Sequence, residues 1–237
     1  MALNISSVST IDELLSSLRR VDISVPPRTD GRTTHHTEIW TICRLLSTLA
    51  NKKYLSFPAS LNHGDRPDFQ IHAGRTQVGI EVTEAVTEQY AAYSALAERE
   101  FSDVFLEPAH FRWGAPQLNV EEMRGLLRQS QLTSDGWVGD GPEHEWALFI
   151  QSVVDAKLIK LAHPEFQKFD QNWLSVYDNL PLPNVHLGKA IAYLRPLLED
   201  RWLQVPSFDV LFVEHGPVIA RITANDVTHL ELNDLWE

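Results

Sequence analysis

The order of apolar residues along the chain predicts an α/β domain, with a central mixed β-sheet flanked by α-helices. Three features carry that reading. Phe69 and Ile71, and after a short gap Val78, Ile80 and Val82, alternate with polar or small residues at the period of pleated strands. Residues 34–51 and 143–163 repeat apolar side chains at the spacing of a helix with one buried face. Beyond residue 172, short apolar runs bracket another helical stretch, the alternation expected of the second half of an α/β sheet.

Residues 1–34 hold one amphipathic segment, Thr10 to Leu18, capped by Ser9 or Thr10, with Asp12 and Glu13 placed to favour the positive end of a helix dipole. Val25 to Gly31, with Pro26 and Pro27, then break the chain. This region reads as an N-terminal arm or partner-binding helix ahead of a domain spanning 35–237. The next helix runs from Thr34 to Asn51, with Ile39, Ile42, Leu45, Leu46 and Leu49 on its stripe. Glu38 shares that stripe with Ile42, Leu45 and Leu49, so its carboxylate needs either a partner or the helix dipole. His35 and His36 beside Glu38 also offer transition-metal ligands, although adjacent side chains on a helix diverge. Tyr54 to Pro58 reads as the first strand, and Asn62 to Arg66 as a polar turn in which Arg66 pairs with Asp65 or touches a phosphate.

The hairpin follows: Asp68 to His72, a turn over Ala73 to Gln77, and Val78 to Thr83. Such a hairpin sets Asp68 near the start of one strand and Glu81 near the end of the next, on one face. Two converging carboxylates repel unless a cation lies between them, and a hard divalent ion favours an oxygen cage of that kind. The competing reading is a turn aspartate and a strand glutamate that faces water.

At these residues the sequence resembles the PD-(D/E)XK nuclease superfamily. Pro67-Asp68, a gap of twelve residues, and Glu81-Val82-Thr83 match its signature except at the last position, where the family carries lysine. The resemblance implies a restriction-endonuclease-like core in which Asp68, Glu81 and the Val82 carbonyl hold magnesium or manganese. It also implies that Glu38, thirty residues before Asp68, completes the shell from the first core helix. Thr83 carries no positive charge, so either the lysine has moved or the site is silent.

Glu84 to Phe101 reads as a helix with Tyr90, Tyr93, Leu96 and Ala97 on its stripe, and Gln89 with Tyr93 matches a Gln-x-x-x-Tyr pattern of one branch of the same superfamily. Residues 101–142 form a loop-rich insertion punctuated by prolines, with a helix over Asn119 to Ser130 and a glycine-rich stretch, Ser134 to Gly141, that is a lid around Trp137 or an ordinary surface loop. In the helix over 143–163, Ile150, Val154, Lys157 and Leu161 share a stripe, so Lys157 sits among apolar side chains. Lysine enters a core only with a partner, unless its stem snorkels past the stripe to water. Since lysines on adjacent helices occur in the resembled superfamily, Lys157 is the candidate for the role Thr83 cannot fill, with Lys160 second. Trp173 to Tyr177 is a strand ending at Asp178, Leu187 to Leu198 a helix interrupted by Pro196, and Phe208 to Val213 and Val218 to Ile222 are strands.

Bulk properties limit these readings. The 237 residues, 43% hydrophobic and 22% charged, suit one sizeable soluble core. No apolar run approaches the ~20 residues of a membrane span, and no signal-peptide pattern opens the chain, so a cytoplasmic protein is expected. The lone Cys43 excludes an internal disulfide. A formal charge of −12 opposes a broad basic face for nucleic acid. The favoured function is a metal-dependent phosphodiester hydrolase acting on DNA or RNA. The alternatives are a catalytically inactive protein of that fold that binds a protein or nucleic-acid partner, and an acidic inhibitor of a basic nuclease.

Overall fold

The computed structural model describes residues 2–101, 103–129 and 136–236. Ser130, the expected end of the helix begun at Asn119, and Ser134 and Asp135 of the glycine-rich stretch lie outside the described residues. The chain runs β1 (Ile5–Val8), α1 (Ile11–Leu18), α2 (Thr34–Asn51), β2 (Ala59–His63), β3 (Phe69–Ala73), β4 (Thr76–Ala85) and α3 (Glu88–Glu100). A 3₁₀ turn (Pro108–Phe111), α4 (Val120–Gln129), α5 (Gly141–Ala162), β5 (Gln171–Asp178), α6 (Leu187–Trp202), β6 (Val210–His215), β7 (Val218–Ile222) and β8 (Val227–Glu231) follow.

The architecture is α/β: among the described residues eight strands form one mixed sheet in chain order. Strands β1 to β4 are antiparallel, β4, β5 and β6 are parallel, and β6 to β8 are antiparallel again. The parallel centre forces long crossovers, which carry the helices. Alternation along β4 sorts the two faces: Val78, Ile80 and Val82 enter the core beneath α1 and α2, with Ile42, Leu46, Phe69 and Phe212. On the opposite face α5 and α6 cover Leu174, Val176, Leu211 and Val213. A smaller cluster, Tyr93, Leu96, Phe111, Met123 and Leu127, ties α3 to α4 within the β4-to-β5 crossover. Among the described residues no helix is long and apolar enough to cross a membrane.

Several boundaries differ from the sequence reading. Tyr54 to Pro58 is irregular, and the strand lies one step later, at Ala59–His63, because Ala59 and Leu61 are the residues that turn inward. Weakly apolar Ala59 and polar Asn62 hide that alternation. Residues 2–34 do not project as an arm: β1 pairs with β2, and Leu14 and Leu18 are buried in the main core. The hairpin turn contracts to Gly74 and Arg75, with Gly74 at φ 65°, and β4 extends to Ala85 before α3 begins. Helix α6 continues through Pro196 to Trp202, and β8 adds an edge strand that the sequence reading did not include.

Candidate active site

The site forms where β3 stops and β4 continues. Phe69 pairs with Ile80, so Asp68, one residue before β3, stands opposite Glu81 on the face away from α2. Past that point β4 keeps only β5 beside it, from Glu81 opposite Leu174 to Ala85 opposite Asp178. The main-chain groups of Val82 on its open edge are satisfied by side chains: its N–H donates to Asp68 Oδ2 at 2.7 Å, and its carbonyl accepts from Lys157 Nζ at 3.1 Å. Asp68 thus replaces a missing rung of the ladder.

Two glycines hold Asp68 there. A Cβ on Gly79 would lie 2.6 Å from the Phe169 ring and 3.0 Å from Pro67 Cγ, so only glycine lets both rings rest on β4. A Cβ on Gly64 would meet the Pro67 carbonyl at 2.7 Å, and the Gly64 N–H donates to the Asp68 carbonyl at 2.8 Å, which closes the turn ahead of β3.

Lys157 reaches this point from α5. Its ammonium donates to Glu81 Oε1 at 2.7 Å, with side chains only 12% and 6% exposed, so the ion pair is nearly dry. Burial, followed by the neighbouring charge of Glu81, pushes the Asp68 carboxyl up to about 7, against the opposing pull of the Val82 N–H and Lys157. Glu38, in the first two turns of α2, is also raised, chiefly by burial, with His35 and Lys157 acting against the shift and Glu81 adding to it. Asp68, Glu81, Val82, Lys157 and Glu38 line one cleft of about 700 Å³, together with Thr83. Exposed Arg66, Lys160 and His163 stand on its rim.

The structure therefore brings Asp68, Glu81, Val82, Lys157 and Glu38 to one cleft, and their donor chemistry is coherent. Three carboxyl groups and a main-chain carbonyl form an all-oxygen set, which fits a hard divalent ion such as magnesium or manganese. Other candidates are occupied elsewhere. Arg66 pairs with Glu165 at 2.7 Å and only distantly with Asp65, at 3.7 Å. Gln89 brackets the main chain of Leu118 with two hydrogen bonds, and Tyr93 is packed on Phe111, so the Gln-x-x-x-Tyr residues anchor the crossover and do not line the cleft. Asp178 accepts from Trp146 and contacts His215 Nδ1 at 2.7 Å; Asp209 accepts the Asn172 N–H. Burial pushes the Cys43 thiol up to about 12, which makes it a poor nucleophile.

Sequence reasoning missed two groups. Glu84, next to Thr83, is bound by Arg28 at 2.8 Å, Arg32 at 3.0 Å and Asn179 at 2.7 Å. The proline-rich loop before α2 is thereby tied to the end of β4, and no local pattern announces a contact across more than fifty residues. His63 is the second. It lies beside His35 and Glu38, and ligand atoms of the three fall within 4.8 Å of one another, while His36 instead caps α2 through Thr33. Comparison with protein-family models, with curated proteins and with solved structures finds no match to this chain.

Proposed function

We propose that this protein is a metal-dependent phosphodiester hydrolase acting on nucleic acid, built on a restriction-endonuclease-like core. The observation that carries the reading is the convergence of Asp68, Glu81 and Lys157, from separate parts of the chain, around the main chain of Val82. Asp68, Glu81 and the Val82 carbonyl would hold magnesium or manganese, with Glu38 completing the shell from α2. A bound ion would supply polarisation of the phosphoryl group and a water acidic enough to attack at neutral pH.

The chain's own part is positional and electrostatic. Glu81 and Val82 engage Lys157 through two hydrogen bonds, and an ammonium has three donors. The third is left for a water or a phosphate oxygen. Fixed in a nearly dry wall, that charge opposes the negative charge that gathers on phosphate oxygens during displacement. Lys160 and His163 on the rim offer contacts to a nucleic-acid strand, which a chain of net charge −12 would otherwise repel.

The test is cleavage of supercoiled DNA, single-stranded DNA and RNA with magnesium or manganese against chelator controls. Asp68→Ala should abolish any cleavage; full activity in that variant, from a clean preparation, removes the proposal. A second reading, an inactive binding module, is favoured by Thr83 and by the ammonium already lying between Glu81 and the Val82 carbonyl. Magnesium titration calorimetry separates the two, because a silent module takes up no magnesium through Asp68.

A further inference from the structure

Beside the oxygen-lined cleft lies a group of different chemistry. His35 and Glu38 are one turn apart on α2 and therefore share a side of the helix. His63, the last residue of β2, brings a second imidazole to them, and ligand atoms of all three lie within 4.8 Å of one another.

The His63 ring is held in place. It stacks on Phe69, with centroids 4.8 Å apart, and on His35, at 4.9 Å and only 3° from parallel. Its main-chain N–H is bound by Asn4 Oδ1 at 3.0 Å, so β1 and its approach fix the end of β2. Yet Nδ1 of this ring is buried and, among the described residues, has no hydrogen-bond partner. A buried polar nitrogen without a partner is a costly arrangement that native proteins rarely keep without use.

We propose that His35, His63 and Glu38 form a second metal site, specific for a borderline divalent ion of the zinc class. Two imidazoles and a carboxylate suit zinc, cobalt or nickel, whereas magnesium favours oxygen donors alone. The site is incomplete as it stands. One ion cannot lie in the planes of two parallel, stacked rings, and tetrahedral zinc ligands sit about 3.3 Å apart given Zn–N bonds of about 2.0–2.1 Å. The His63 ring is stacked on Phe69 and its main chain is held by Asn4, so closure onto one ion requires the His35 ring, in the first turn of α2, to turn. Glu38 also faces the Asp68–Glu81 cleft, so an ion held by the histidines draws this carboxylate away from that cleft. The second site does not depend on the hydrolase reading, and its test needs no substrate.

The metal-stripped full chain is titrated with cobalt, followed by visible d–d absorption, and then with zinc as competitor. One equivalent of cobalt should give absorption of a four- or five-coordinate ion, and zinc should abolish it. His35→Ala and His63→Ala should each lose the signal while keeping the wild-type circular dichroism, and His36→Ala and Asp68→Ala should retain it. His35→Ala, a partly buried position in a terminal turn, keeps the test valid if the His63 variant fails to fold. Absence of cobalt and zinc uptake, persistence of the absorption in the folded His35→Ala protein, or its loss in Asp68→Ala overturns the proposal.

Discussion

Replacement of Lys157 by Met removes the ammonium and keeps most of the side-chain volume. Glu81 is then left 6% exposed beside Asp68 with no cation between them. Breaking a buried ion pair by removing one partner costs about 3–5 kcal/mol. The lost bond to the Val82 carbonyl adds about 1 kcal/mol, while water entering the cleft offsets part of both, so a net loss of about 3 kcal/mol at pH 8 is expected. The double variant Glu81→Gln with Lys157→Met removes the orphaned charge as well and should recover most of that loss. Urea unfolding followed by far-UV circular dichroism reads all three proteins, with an unchanged denaturant slope as the check that only stability has moved.

The pH dependence has a definite sign. The folded Asp68 carboxyl titrates at about 7 against a reference of 3.8, so the folded chain holds a proton that the unfolded chain releases. That displacement destabilises the fold by on the order of 4 kcal/mol above pH 7, and the penalty fades as pH falls from 7 toward 4. Without Lys157 the carboxyl rises further, so the deficit of the variant should narrow on acidification. A loss below about 1 kcal/mol at pH 8, or a double variant no more stable than the single one, would refute the claim that Lys157 compensates these acids.

The same carboxyl governs ion uptake. A cation at Asp68 displaces its proton, so magnesium affinity should be about tenfold stronger at pH 8 than at pH 6, measured by calorimetry in buffers of different ionisation enthalpy. Equal affinity at the two pH values would show that uptake displaces no proton from Asp68. Gly79→Ala should destabilise the protein by about 1–3 kcal/mol, since its Cβ must displace the Phe169 ring or Pro67. It should also weaken magnesium uptake by moving the Pro67-Asp68 turn, and an alanine variant of wild-type stability and affinity would show that the turn is not braced by that contact.

Much of the candidate site was legible because its parts are local. The strict alternation of Phe69 and Ile71 with Asp68, and of Ile80 and Val82 with Glu81, puts the two acids on one face once a short turn sets the register. Lys157 was visible as a charge on an apolar helical stripe, although the stripe alone names no partner. Where side chains are ambivalent the reading slipped. Tyr54 to Pro58 is more apolar than Ala59 to His63, yet the latter pairs with both β1 and β3. Strand pairing rewards the main chain that is in reach, not the more hydrophobic run.

What the sequence determined by itself is the α/β class and the inward and outward faces of its main helices and hairpin; it singled out Asp68, Glu81 and Lys157 but left open that the acids and the ammonium face water. Only the tertiary structure decided that β1 adds an edge strand to the sheet and α1 packs on its core, that Arg28 and Arg32 close on Glu84, and that His63 meets His35 and Glu38. Periodicity specifies which side of an element is buried because burial acts on each element separately. Contacts between charges and rings dozens of residues apart depend on where the sheet sets each element, and no local repeat encodes that.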